Sequence, residues 1–210
     1  MNFRKVLDMH SSSLEKMLRF RKDYLNERKT ENLLILDLGS LDVNGSYREC
    51  FKESSWTYLG LDMTAGRNVD VLLRDPYNWR SLKSGTADVI VSGQAFEHIE
   101  YFWISMLEIS RVLKPGGLCC IIAPSGGPEH RYPVDCWRFF PDGFKALARF
   151  ARLDLVEVST DWNPEIRKRD MSNLWKDTML VCLKPRLRGV KAFQWEVRRF
   201  LLHRILTLFL

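Results

Sequence analysis

The feature that most constrains this chain is a series of short apolar runs that stop at an acid or a glycine. LLILDLG (33–39), WTYLGLD (56–62) and ADVIVSG (87–93) end this way, and GLCCIIAPSG (117–126) repeats the pattern. Such runs suit strands covered on both faces. VDVLL (69–73), LDLVEVS (153–159) and TMLVCLKP (178–185) bring the expected total to seven strands. Helices fit between them at 46–53, 99–113 and 142–150. Lys114-Pro115-Gly116-Gly117 ends the second, because proline cannot continue a helix and glycine turns the chain cheaply. Strands alternating with helices predict a doubly wound α/β fold with a mostly parallel sheet. A further helix over 12–29, with Leu14, Met17, Leu18 and Leu25 near helical spacing, is expected at the edge or mouth of that sheet.

A length of 210 residues allows one full core and not two comfortable ones. The five cysteines, Cys50, Cys119, Cys120, Cys136 and Cys182, are odd in number and match no zinc or disulfide spacing, so they read as reduced and suit the cytoplasm. The N-terminus carries no signal-peptide core, and no run reaches the roughly 18 apolar residues of a membrane span. The net charge of +6 is local: seven bases and one acid lie in 184–210, which leaves residues 1–183 balanced. A neutral body without a recognition motif argues against a nucleic-acid partner.

Doubly wound sheets bind ligands beyond the carboxyl ends of their strands, where strand order reverses. This directs attention to Asp37–Gly39, Asp62, Asp75, Gly93–His98 and Pro124–Asp135. Gly39 lets backbone approach a ligand, and Ser40, Asp42 and Asn44 can fold over a turn. Asp62 follows Gly39 by 23 residues and is placed to take ribose hydroxyls. Neither G-x-G-x-x-G nor a Walker-type phosphate loop is present. The expected ligand is therefore a nucleoside cofactor that needs no phosphate cradle.

LLILDLGSLDVNGSYR, YLGLDMTAGRNVDVLLRDPYNW, DVIVSGQAFEHIEYFW and RVLKPGGLCCIIAPSGGPEHRYPVDCWRF occur in order at spacings that resemble class I S-adenosylmethionine-dependent methyltransferases. Within that group the chain is similar to small bacterial enzymes encoded among genes for surface-polysaccharide synthesis. The resemblance covers roughly residues 30–185 and implies a Rossmann-like seven-stranded sheet with an antiparallel last strand. It divides the chain into an N-terminal helical segment (1–30), a methyltransferase domain (31–185) and a basic amphipathic C-terminal helix (186–210). It also implies that Asp37 and Gly39 hold the methionine part of S-adenosylmethionine and Asp62 its ribose, with Ser40 and Asn44 of the same loop among the cofactor-binding residues. Leu61 and Met63 then lie beside the adenine, Asp75 and Pro76 near its amino group, and Gln94, Glu97 and His98 along the cofactor. The chain departs from the commoner G-x-G-x-G pattern, with Leu41 and Val43 after Gly39 and a glycine only at Gly45.

Methyl transfer from a sulfonium needs an aligned nucleophile, exclusion of water and, for a hydroxyl acceptor, a base. Of His10, His98, His130 and His203, only His130 lies in the segment after the fifth strand where an acceptor is expected. It is the candidate base, with Glu129 or Asp135 orienting it or acting instead; a substrate contact or a loop brace is the other reading. Arg131, Tyr132, Trp137 and Arg138 are candidate substrate contacts, because aromatics stack on sugar faces and arginine pairs with anions. They equally suit a packed lid. The segment 161–170 is a candidate cover on the other side. No metal-ligand spacing is evident, and none is expected. The acceptor expected first is a hydroxyl of a sugar or of a lipid-linked glycan intermediate. A quinone, another small metabolite or a protein is the alternative, as is a non-catalytic binding protein. The tail 190–210 reads as a basic helix with a broad apolar face, suited to the inner surface of a membrane, to its own domain or to a second subunit.

Overall fold

The computed structural model describes residues 11–162, 171–208 and 210. His10 and most of the expected cover at 161–170 lie outside the described residues. The seven strands are β1 (Leu33–Leu38), β2 (Trp56–Asp62), β3 (Val71–Leu72), β4 (Ala87–Gly93), β5 (Leu113–Ala123), β6 (Asp154–Thr160) and β7 (Thr178–Leu183). They form one sheet in the order β3-β2-β1-β4-β5-β7-β6. β1 to β5 pair in parallel, and β7 runs antiparallel to both β5 and β6. The helices are α1 (Ser11–Leu25), α2 (Phe102–Val112), α3 (Pro141–Ala151) and α4 (Gly189–Thr207).

Strand periodicity assigns each apolar side chain to one of two cores. Leu36, Leu38, Ile90, Cys119, Ile121, Leu180 and Cys182 point to the face packed with residues of α2 and α3. Their neighbours Leu33, Ile35, Val89, Val91, Cys120, Ile122 and Val181 point to the other face, with Met17, Phe20 and Leu25 of α1. A side-chain repeat of two, apolar at every step, is what burial on both faces demands. α1 thus lies over the sheet face and not along an edge. Its first turn reaches the mouth, where Ser13 Oγ is 2.6 Å from the Tyr47 hydroxyl and accepts from Gln94 Nε2 at 3.3 Å.

The Pro-Gly-Gly turn expected to precede the fifth strand is absorbed into it. α2 stops at Val112, and Leu113 already pairs with Ala87, before an irregularity in the ladder between Ala87 and Val89. α3 begins with Pro141 in its first turn and ends on Arg152 in the left-handed region. The tail does form a helix, but its apolar stripe faces outward. Trp195, Arg199 and His203, one turn apart, are the residues α4 buries against the domain. Val190, Phe193, Val197, Phe200, Leu201, Ile205 and Leu208 are all exposed.

Candidate functional site

Going outward from β1, the chain fills β2 and β3, then returns to β4 on the other side of β1. At that reversal the loops after β1, β2 and β4 diverge and leave a cavity of about 460 Å³. Asp37, Gly39, Ser40, Asn44, Asp62, Met63, Pro76, Gln94 and His98 all line it, and so do His130 and Tyr132 from the loop after β5.

Gly39 carries a φ of +77°, and a Cβ at this position would lie 2.4 Å from Ala95 Cβ. Only glycine allows the loops after β1 and β4 to approach this closely. Its amide and that of Ser40 donate to Leu61 O at 2.9 and 3.1 Å, which ties the loop to β2. Asp62 braces the same loop: its Oδ2 accepts from Leu41 N at 3.0 Å and its Oδ1 from Thr64 N at 2.9 Å. Each carboxylate oxygen retains a second lone pair, so ribose hydroxyls can still be accepted.

Asp37 is 2% exposed. The Tyr58 hydroxyl donates to Oδ2, while Oδ1 has no partner among the described residues. Burial pushes its carboxyl up to about 7, against the opposing hydrogen bond from Tyr58. Gln94 adopts the left-handed region (φ +56°) and donates to Asp177 Oδ1 at 3.1 Å, while its own Oε1 lacks a partner among the described residues. Two unpartnered buried acceptors on residues that line one cavity match the chemistry of an amino-acid ammonium.

At the other end of the cavity, His130 Nδ1 lies 3.3 Å from Asp135 Oδ2, within ion-pair reach but off hydrogen-bonding alignment. The same oxygen accepts from the His130 backbone N at 2.7 Å. Arg138 grips both Asp135 oxygens, at 2.6 and 2.8 Å, and holds that carboxyl well below its usual range. Burial and the neighbouring His98 lower the affinity of the His130 ring for a proton, so a neutral imidazole faces the cavity at neutral pH.

Other expected residues lie elsewhere. Leu61 is fully buried in the α2-side core, because its strand position turns it away from the cavity; its carbonyl, not its side chain, serves the loop. Asp75 does not line the cavity and accepts from Tyr77 N at 2.7 Å, closing the Asp-Pro turn that presents Pro76. Glu129 and Arg131 pair with each other in solvent. Trp137 donates to Glu100 O and packs edge-on against Phe102 and Trp103. Arg138 spans Asp135 and Pro128 O and lies over Trp175. Of the four expected substrate contacts only Tyr132 reaches the cavity. Tyr47, Val43 and Pro133 line it without having been singled out. Gly93 makes room for Tyr47 in the fold, since a Cβ there would meet its hydroxyl at 2.2 Å, but the sequence does not pair the two.

A family model described as a methyltransferase domain matches residues 36–121, from β1 into β5. No curated protein matches the chain. Among solved structures, the chain is similar to the [4+2]-cyclase SpnF, at 13% identity and a TM-score of 0.61, over 82% of this chain and 81% of that one. The 1,6-didemethyltoxoflavin-N1-methyltransferase of Burkholderia thailandensis, bound to 1,6-didemethyltoxoflavin and S-adenosylhomocysteine, gives 15% and 0.60 over 81% and 79%. The geranyl diphosphate C-methyltransferase of Streptomyces coelicolor, in complex with Mg2+, geranyl diphosphate and S-adenosylhomocysteine, gives 12% and 0.59 over 81% and 79%. The fold is that of the class I S-adenosylmethionine-dependent methyltransferase superfamily.

Proposed function

We propose that the protein transfers a methyl group from S-adenosylmethionine to a small-molecule acceptor. The observation that carries this reading is the convergence of Asp37, Gly39, Asp62 and Gln94 on one cavity whose far end holds His98, His130 and Tyr132. When bound, the donor supplies a sulfonium methyl open to in-line attack. Asp37 and Gln94 hold its ammonium, Asp62 takes its ribose hydroxyls, and Leu73, Pro76 and Ile99 give its base an apolar wall. For an oxygen acceptor, His130 is the proton acceptor of this reading, with Asp135, held by Arg138, 3.3 Å from its Nδ1 and bonded to its backbone N.

The acceptor is best left at the level of a small metabolite. Similar structures carry names for reactions at nitrogen and at carbon, and one is named a cyclase. That breadth favours a general metabolite over the sugar or glycan hydroxyl expected from the sequence, and lends no support to a role in polysaccharide synthesis. It also shows that this fold does not by itself guarantee methyl transfer, so turnover is the deciding test. Labelled S-adenosylmethionine incubated with a panel of hydroxylated, phenolic and amine acceptors is expected to yield S-adenosylhomocysteine and a methylated product. Asp62→Ala is expected to reduce kcat/KM at least tenfold with the fold preserved, since it removes two hydrogen bonds to a ligand and frees the loop after β1. Unchanged turnover in that variant would remove Asp62 from the site; no measurable affinity of the wild-type protein for donor or demethylated product would end the proposal.

The exposed stripe of α4 supports a second element of the reading, contact with an anionic membrane surface. No described helix is long and apolar enough to cross a membrane. Lys191, Arg198 and Arg204 are exposed on α4, and its single acid, Glu196, is paired with Arg199. An outward apolar stripe flanked by bases complements an anionic lipid surface, with about 1 kcal/mol per base. Sedimentation with vesicles containing phosphatidylglycerol is expected to carry the protein down, and Phe193→Glu with Phe200→Glu to leave it in the supernatant. Binding equal to that on neutral phosphatidylcholine vesicles, or a concentration-dependent dimer that hides the stripe, would refute membrane contact.

A further inference from the structure

Glu97 is the least satisfied ionisable group near the cavity. It follows β4 in the single turn Phe96–His98 and is fully buried. Its backbone is fixed: Glu97 O accepts from Cys136 N at 2.8 Å and from Trp137 N at 3.2 Å, which draws the loop after β5 across it. Yet neither carboxylate oxygen has a hydrogen-bond partner among the described residues. Arg138, the nearby cation, is already committed to Asp135. A buried carboxylate left in this state is costly unless a proton or a cation neutralises it. Burial, with the charges of Asp177 and Asp135 adding to it, pushes the carboxyl up to about 8 against the opposing effect of Arg138.

Two imidazoles face this carboxylate. His98 Nδ1 donates to Val134 O at 2.5 Å, which leaves Nε2 with a free lone pair 3.7 Å from Glu97 Oε1. The His98 and His130 rings meet edge to face with centroids 4.9 Å apart. One donor atom from each of Glu97, His98 and His130 falls within 4.8 Å of the others. Around a single ion with bonds of about 2.0–2.2 Å, ligand atoms sit roughly 3–3.5 Å apart, so modest side-chain rotations close the set. The surroundings match those of metal-bound histidines, whose second nitrogen faces a carbonyl or a carboxylate. Val134 O provides the first for His98, and Asp135 the second for His130.

We propose that Glu97, His98 and His130 bind one divalent transition-metal ion whose open positions face the acceptor end of the cavity. Two nitrogens and one carboxylate oxygen favour Zn2+ and its neighbours over Mg2+ or Ca2+, which prefer all-oxygen shells. His98 and His130 both line the cavity, so a ligand oxygen entering beside Tyr132 reaches the open side of the ion. In the loaded protein His130 is a ligand and not the proton acceptor, and the ion's role is to hold and polarise an acceptor oxygen. The site itself stands on the three side chains; only its use on an acceptor rests on the proposed methyl transfer.

The test is a titration of the chelator-treated full chain with Co2+, followed by visible absorption, and with Zn2+ in competition. One equivalent of Co2+ is expected to bind with a d–d spectrum that Zn2+ abolishes. Glu97→Gln, which keeps the shape of the side chain, is expected to weaken Co2+ binding at least tenfold. Circular dichroism and thermal unfolding on the same samples report whether the fold survives, and S-adenosylhomocysteine binding by the wild-type protein is measured alongside. His98→Gln is the second variant should Glu97→Gln not fold, with the same loss expected. No Co2+ binding by wild-type protein, or equal affinity in a folded variant, overturns the metal site. Metal binding without affinity for S-adenosylhomocysteine would leave the metal site standing and remove the methyltransferase reading.

Discussion

Asp37→Asn is expected to lose roughly 10- to 100-fold in affinity for S-adenosylhomocysteine at pH 8 while raising the melting temperature at that pH. Both effects come from one buried carboxylate. A charge-assisted hydrogen bond to a ligand ammonium contributes about 1.5–3 kcal/mol, and asparagine keeps the acceptor for Tyr58 but not the charge. In the unliganded protein the carboxyl stands at about 7, above its unfolded value, because burial disfavours the ion. The folded state therefore holds its proton more tightly than the unfolded chain. The stability that follows is complete below about pH 4 and is lost as pH rises through 7, by up to about 4 kcal/mol. Asparagine does not ionise and escapes this loss. Affinity moves the opposite way: the ammonium needs the carboxylate, so wild-type binding is expected to tighten about tenfold per unit from pH 5.5 to 7 and then level. Calorimetric titration and thermal unfolding across pH 4–8 check both curves. A pH-independent wild-type affinity, or a variant that melts lower at pH 8, would contradict this account.

Glu108→Ala is expected to destabilise the protein by about 3–5 kcal/mol. Glu108 is 2% exposed on α2 and accepts from Arg111 Nε at 2.8 Å, Arg111 NH2 at 2.7 Å and Trp79 N at 2.8 Å. Arg111 continues to Trp79 O and Leu82 O, so the pair ties α2 to the segment between β3 and β4. Burial raises the Glu108 carboxyl, and the hydrogen bonds and charge of Arg111 more than reverse this, leaving it below its usual value. Its contribution is thus present above the unfolded value and is lost as pH falls through the lower, folded one. Alanine leaves a guanidinium and an indole-residue amide without their acceptor. For a domain of this size the loss corresponds to a fall in Tm of roughly 6–20 °C. The double change Glu108→Leu with Arg111→Met is expected to recover most of it, because it removes both charges together. A fall in Tm under 2 °C for Glu108→Ala would show that the pair is solvated.

The sheet was legible in the sequence because strands covered on both faces have no polar positions to blur their ends. LLILDLG and ADVIVSG declare both their limits and the place where ligand-facing residues follow. Asp37, Gly39, Asp62 and Gln94 were found by that rule, and they do meet in one cavity. Side-chain direction was not legible at strand ends. Leu61 and Met63 flank the same aspartate, but the first points into the core and the second lines the cavity. The Glu97, His98 and His130 cluster escaped because His130 lies about thirty residues beyond the adjacent pair and meets it only where the loop after β5 folds back over β4's turn. Metal-ligand spacing along a helix or knuckle gives no hint of such a closure. In α4 the apolar period was real, but periodicity marks a face without naming what it packs against. There the domain took Trp195, Arg199 and His203 instead.

His203 gives that choice a consequence. Its Nε2 donates to Tyr77 O at 2.5 Å, and Tyr77 is the residue after Pro76 in the cavity wall. The C-terminal helix is therefore one peptide unit from the cavity wall proposed to take the donor's base. If α4 meets a surface as proposed, any pull on it is passed to that wall through this bond, and by reciprocity a ligand that stiffens the wall would hold the helix more firmly.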